Sequence, residues 1–275
     1  MTSRARTLYW GDLTTAEFAS LDPERTIAVL PVAAIEQHGP HLPVATDTLI
    51  AEGMIGEVIA QCPAHLAPLF LPVQAVGKSN EHIRFPGTLT LSAANAIAAW
   101  TEIGEGVHRA GLRKFVIVNA HGGNVDMLPI IARDLRVRLD MAVVTCSWMR
   151  LGYPSGVFPD AEIAHGIHGG DIETSLMLHF RPDLVRGELV DNFAPASLSL
   201  EREATILRAT GPTSIAWTAE DLHPSGAIGD ARPATAEKGR LTARYQAARF
   251  IALLEDLTRF PLSRITPRRT ARTQE

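Results

Sequence analysis

Phe115-Val-Ile-Val-Asn119-Ala-His-Gly-Gly-Asn124 opens as an apolar run rich in β-branched residues and breaks into a polar turn with two glycines. The run reads as a strand buried on both faces, because no polar residue alternates within it. A helix is predicted to follow over 127–139, and another strand over 141–148. Upstream, Thr26-Ile-Ala-Val-Leu-Pro-Val32 is a second buried strand, followed by the polar loop 33–47 and a helix over 48–60, with Thr46 or Asp47 as its cap. An extended segment at 66–76 and a helix over 92–110 come next. Further on, helices are expected over 171–180, ended by Arg181-Pro182, and over 237–257, capped by Thr235; residues 185–228 hold a strand or two. Buried strands alternating with helices through short links predict an α/β fold of parallel βαβ units, with helices on both sheet faces. No repeat or linker divides the chain, so residues 1–262 are expected to form one domain. A basic, flexible tail is expected over 263–275, with Arg264, Arg268, Arg269 and Arg272.

Composition narrows the function classes. The 275 residues are 46% hydrophobic and 20% charged, which suits a sizeable core and excludes disorder over most of the length. With 26 Lys and Arg against 30 Asp and Glu, the formal charge of −4 provides no field to recruit nucleic acid or anionic lipid. Every apolar run is too short for a membrane span, and no apolar signal region follows Met1. Two cysteines, Cys62 and Cys146, are expected to be reduced in the core. A cytoplasmic protein acting on a small molecule is the expectation.

Three loops concentrate the polar chemistry. Glu36-Gln-His38-Gly-Pro-His41-Leu-Pro-Val-Ala-Thr-Asp47 begins where the first strand ends, the edge at which open α/β sheets place ligands. Glu36 and His38 share a face if the chain stays extended there. Together with Asp47 they make a carboxylate–imidazole–carboxylate set suited to Zn²⁺, Mn²⁺ or Fe²⁺. Asn119-Ala-His121-Gly-Gly-Asn124 ends the third strand; its glycines also allow a phosphate cradle, but the full dinucleotide fingerprint and the P-loop Lys are absent. His165-Gly-Ile-His168-Gly-Gly-Asp171-Ile-Glu173 leads into a helix whose first turn holds both acids.

These loops resemble the creatininase (creatinine amidohydrolase) family. The matching segments are 30–43 with Thr46-Asp47, 119–124 and 168–175, joined by Ser79-Asn-Glu-His-Ile-Arg-Phe-Pro-Gly-Thr88 and residues 229–239. The resemblance implies a three-layer α/β/α sandwich with a mostly parallel central sheet. It also implies two divalent metal ions, one held by Glu36, Asp47 and His121 and the other by His38, Asp47 and Glu173. Homo-oligomers, commonly hexamers, are implied as well. A water shared by two such ions has its pKa lowered towards ~7, and attacks a carbonyl carbon. The implied reaction is hydrolysis of a non-peptide C–N bond in a cyclic amide or formamide. Within the family the alternatives are ring-opening C–C hydrolysis of a cyclic diketone and peptide trimming in cofactor maturation. Outside it stands a non-catalytic metal-binding scaffold, against which the intact ligand set argues.

The chain departs from creatininases proper at three places. Their Tyr-Glu after the metal-binding His is Gly122-Gly123 here, so one metal is expected to lose a carboxylate and leave room for water or substrate. Their substrate-covering Trp corresponds to Gly170, and their proton-carrying His to Thr174. Creatinine is therefore not the expected substrate. His82, beside Glu81, is the replacement proton carrier, and Glu173 acts in catalysis beside its metal role. Ser79, Glu81, Gly122, Gly123 and Asp171 are expected to touch substrate, as are Lys78 and Arg84 if it is anionic. His41, His165 and His168 are expected to lie behind the metal ligands.

Overall fold

The structure, a computed structural model, describes residues 7–267. Four strands, β1 (Thr26–Val32), β2 (Ala67–Phe70), β3 (Lys114–Asn119) and β4 (Ala142–Ser147), form one parallel sheet in the order β2-β1-β3-β4. All residues of β1 and β3 are buried, as their unbroken apolar runs require. Register pairs Val32 with Asn119, so β1 and β3 end level and release their loops side by side.

Five long helices flank the sheet: α1 (Thr46–Gln61), α2 (Ala93–Arg109), α3 (Leu128–Leu139), α4 (Asp171–Phe180) and α5 (Ala236–Arg259). One face of β1 (Ile27, Val29) packs with Met54, Val58, Leu176, Phe250 and Leu254 from α1, α4 and α5. The other (Ala28, Leu30, Val32) packs with Trp100, Val107, Ile131 and Leu135 from α2 and α3. Each such side chain contributes roughly 1.5–3 kcal/mol on burial, so both cores clamp the sheet that carries the site. This is the expected three-layer arrangement.

Boundaries fall within a few residues of the sequence reading, with instructive exceptions. Thr46 and Asp47 lie inside α1 and cap nothing. Thr46 Oγ1 donates to Pro43 O at 2.6 Å, and the Asp47 carboxylate turns away from the helix backbone towards two histidines. Between 185 and 228 the chain is mostly irregular, with short helical turns and one extended piece, β5 (Asn192–Phe193), which pairs antiparallel with β6 (Gly229–Asp230) just beyond it. Within the segment expected to be a tail, Ile265 packs on the core and Arg136 Nη2 donates to Thr266 O at 3.0 Å. Arg268, Arg269 and Arg272 lie outside the described residues. Cys62 and Cys146 form no disulfide. No helix among the described residues is long and apolar enough to cross a membrane.

Candidate metal centre

The polar loops meet above the level ends of β1 and β3. Asn119 terminates β3 by folding its side chain onto the next turn: Oδ1 accepts from His121 N at 3.1 Å and Nδ2 donates to His121 O at 2.6 Å. Asn124 then stitches three loops together. Its Nδ2 donates to Ala33 O at 3.1 Å and its Oδ1 accepts from Lys78 N at 3.0 Å. The Asn-x-His-Gly-Gly-Asn segment thus spends its side-chain amides inside the protein. In the first loop, Gly39 takes a φ of +71° and donates its N–H to Gln37 Oε1 at 2.8 Å, turning the chain so that Glu36, Gln37 and His38 all point inward. Gly169, at a φ of +66°, makes a similar turn before α4 and donates to Glu173 Oε2 at 2.6 Å.

Glu36, His38, Asp47, His121 and Glu173 converge there, all buried. His38 Nε2 lies 3.2 Å from Asp47 Oδ1 and 3.8 Å from Glu173 Oε2. His121 Nδ1 lies 3.1 Å from Glu36 Oε1 and 3.2 Å from Asp47 Oδ2. The far nitrogens are held by backbone: His38 Nδ1 donates to Glu36 O at 3.0 Å and His121 Nε2 to Lys78 O at 2.9 Å. That is how a protein fixes the tautomer of a metal-binding imidazole. Both Glu36 oxygens and Asp47 Oδ2 are buried without a hydrogen bond. Donors bonded at about 2.1 Å to a tetrahedral ion stand roughly 3.4 Å apart, the separation seen in both sets. The donors therefore suit divalent metal.

The electrostatics agree. Burial opposes charge on every member, yet the mutual attractions win: Asp47 raises His38 to about 9, and Glu36 with Asp47 holds His121 well above its usual value. Asp47, paired with His38 and His121, and Glu36, paired mainly with His121, stay below the usual carboxylate range despite burial. Glu173 is the exception, raised to about 7 by burial. Without ions, two imidazoliums provide the positive charge that the carboxylates demand; a dication displaces those protons.

The remaining predicted residues fall into three groups. His82 and Ser79 are at the cluster: His82 Nε2 is 3.5 Å from Glu36 Oε1, and Ser79 Oγ is 3.3 Å from His121 Nε2. His168 is nearer than expected, its ring between those of His38 and His82 at 4.0 and 4.3 Å, with Nδ1 3.6 Å from Glu36 Oε1. An isolated bridge between His168 and Ile228 positions it, a long-range pairing that no local spacing encodes. Others are occupied elsewhere. Asp171 gives its oxygens to Lys238 Nζ and Ser175 Oγ, joining α4 to α5 in place of the expected substrate contact. His165 pairs with Ser197 and Glu201, and exposed Arg84 lies 3.9 Å from Glu220. His41 Nε2 donates to Gly169 O and Thr174 Oγ1, bracing the turn ahead of Glu173.

Gly123, expected with Gly122 to leave room for water or substrate, does not, and the space at Gly170 is filled as well. A Cβ on Gly123 would stand 2.0 Å from Glu81 Oε1, and one on Gly170 would stand 2.4 Å from Glu162 Oε1. A glutamate side chain fills each space. Gly122 alone faces open space and marks the rim. Gln37 was not singled out in the sequence, although it sits between Glu36 and His38. Its Oε1 is committed to the Gly39 N–H, so its Nε2 donates to Gly226 O at 2.9 Å and meets His82 Nδ1 at 2.7 Å.

The creatininase family model, described as creatinine amidohydrolase, matches residues 11–254. The mycofactocin precursor peptide peptidase of Mycolicibacterium smegmatis is 35% identical over 234 residues, covering 83% of each chain. The creatinine amidohydrolase of Pseudomonas putida is 29% identical over 250 residues, 86% of this chain and 92% of that one. A solved mutant creatininase, described as the Zn-Zn type, superposes with a TM-score of 0.74 at 26% identity, covering 93% of this chain and 100% of that one. Fold, the three loops and the matched length agree: the chain belongs to the creatininase family.

Proposed function

We propose that this protein is a divalent-metal hydrolase that cleaves an amide bond in a peptide. Glu36, Asp47 and His121 hold one ion; His38, Asp47 and Glu173 hold the second. The observation that carries this reading is Asp47, whose two oxygens face two imidazole nitrogens at 3.2 Å on opposite sides, the arrangement of a bridging carboxylate. Zn²⁺, Mn²⁺ and Fe²⁺ all suit such mixed oxygen and nitrogen donors. Bound there, the ions supply an activated water and an electrophile for the scissile carbonyl.

The chain's own residues then serve the carbonyl. Because Gln37 donates to His82 Nδ1, neutral His82 carries its proton on Nε2, the atom facing the cluster. Burial lowers the His82 pKa, which keeps the ring neutral. His82 is thus a fixed hydrogen-bond donor to the carbonyl oxygen as negative charge develops, in place of the proton carrier expected from sequence. His168 is held in the opposite sense: its Nε2 donates to Gln37 O, so the neutral ring turns a bare Nδ1 towards Glu36.

A peptide is favoured over a cyclic amide by the similarity to the mycobacterial peptidase and by the rim. Gly122 faces open space, and the apolar side chains Ile83 and Leu89, on the loop that carries His82, are exposed. The similarity to creatinine amidohydrolase supports the second reading, a small cyclic amide or formamide. The test is to incubate Zn²⁺- or Mn²⁺-loaded protein with a panel of short peptides, lactams and formamides, and to read products by mass spectrometry. Peptide cleavage supports the proposal; turnover of cyclic amides alone replaces its substrate. Failure of the protein to bind any divalent ion removes the mechanism.

A further inference from the structure

Glu81 belongs to the 3-10 turn Asn80–His82, and its two oxygens do different things. Oε2 accepts from Lys78 Nζ at 3.1 Å. Oε1 occupies the space over Gly123, 3.5 Å from His121 Nε2. One donor atom each from Glu36, Glu81 and His121 lies within 4.8 Å of the other two. Gly123 is what permits this: any side chain there would meet Glu81 Oε1 at 2.0 Å and expel it. Both Glu36 oxygens beside it are buried and lack a hydrogen bond.

We infer that Glu81 is a further ligand of the ion held by Glu36, Asp47 and His121, delivered from the turn ahead of β3. This rests on the two-ion reading above. Three protein donors leave an octahedral ion with positions beyond the one a water needs, and Glu81 is a further carboxylate close to Glu36 and His121. The attachment is exchangeable, because Lys78 competes for the same carboxylate. With Glu81 the site offers three oxygens and one nitrogen, a harder set that shifts preference from Zn²⁺ towards Mn²⁺ or Fe²⁺. Glu81 is therefore assigned to metal rather than to the substrate contact expected from sequence.

The experiment uses the full chain, stripped with chelator and titrated with Mn²⁺ while free Mn²⁺ is followed by electron paramagnetic resonance. Wild type, Glu81→Gln and Lys78→Met are compared, with a thermal melt of each metal-free protein. Wild type is expected to bind two ions. Glu81→Gln is expected to weaken one of them by about 10- to 100-fold and leave the other unchanged, with an unaltered metal-free melt. Lys78→Met is expected to bind both at least as tightly as wild type. Equal affinities in wild type and Glu81→Gln would overturn the assignment. So would a Lys78→Met variant that loses the same ion to the same extent, since the pair would then merely shape the turn. A wild type that binds neither Mn²⁺ nor Zn²⁺ would overturn the two-ion site itself, a different result from either.

Discussion

Single atoms carry the chemistry of this site, and Asp47 carries the most. Asp47→Ala is expected to abolish binding of both ions, read as metal content per chain after desalting; retention of two ions would show that Asp47 does not bridge. His82→Ala is expected to keep both ions and lower turnover by about 10²–10³-fold, the usual cost of one hydrogen-bond donor to a developing oxyanion. Glu162 makes a prediction of another kind. Burial raises its carboxyl to about 7, although the Ile172 N–H at 3.4 Å favours ionisation. Since the folded value lies above the unfolded one, the contribution to stability is full below about pH 4.5 and is lost as pH rises through about 7. Glu162→Gln is expected to remove that loss, gaining up to about 3 kcal/mol over wild type at pH 8 and nothing at pH 4.5. Denaturant melts across that range check it; parallel profiles would mean that Glu162 ionises freely in the fold.

At the scale of elements, the site depends on how closely α4 and α5 approach. Gly239 of α5 lies against the α4 backbone: a Cβ there would stand 2.0 Å from Ser175 O. Glu173 is two residues before Ser175 on α4, so separating the helices moves a proposed ligand. Gly239→Ala is expected to destabilise the protein by about 1–3 kcal/mol and to weaken the ion held by His38 and Glu173 more than the other. Melting and metal titration of the same preparation test the link; a destabilised variant with unchanged affinities would show that the site tolerates the shift. Glu81 over Gly123 and Glu162 over Gly170 illustrate the same geometry in loops. In each case a missing side chain is matched by a carboxylate from another segment, far along the chain for Glu81 and near at hand for Glu162.

For the whole molecule, the proposed ligands come from the loop after β1, the start of α1, the loop after β3 and the first turn of α4. Each proposed ion draws on three of these four elements, so it binds only the folded chain. Saturating Zn²⁺ or Mn²⁺ at 1,000 times its dissociation constant is expected to add about 4 kcal/mol. In a chain of this size that raises Tm by on the order of 10 °C, and chelator reverses it. A Tm indifferent to both would mean that the cluster holds no ion in the folded protein.

Strand and helix placement was legible in the sequence because it depends on local periodicity. The apolar runs of β1 and β3 and the helical spacing of α2 to α5 stand in the chain whatever packs against them. The three polar loops were legible as well, since glycines and donors crowd into a few consecutive residues. What the tertiary structure alone decided is which atom faces which. Asp47 looks like a helix cap beside Thr46, and only the arrival of His38 and His121 turns it inward. Glu81 and Gly123 are separated by 42 positions, so nothing local says that one fills the other's space. Asp171 is drawn to Lys238, and His168 is placed by Ile228, through contacts that span more than fifty residues. Local sequence sets backbone periodicity, but the charge and space around a buried polar atom are set by whichever distant segments the fold brings against it.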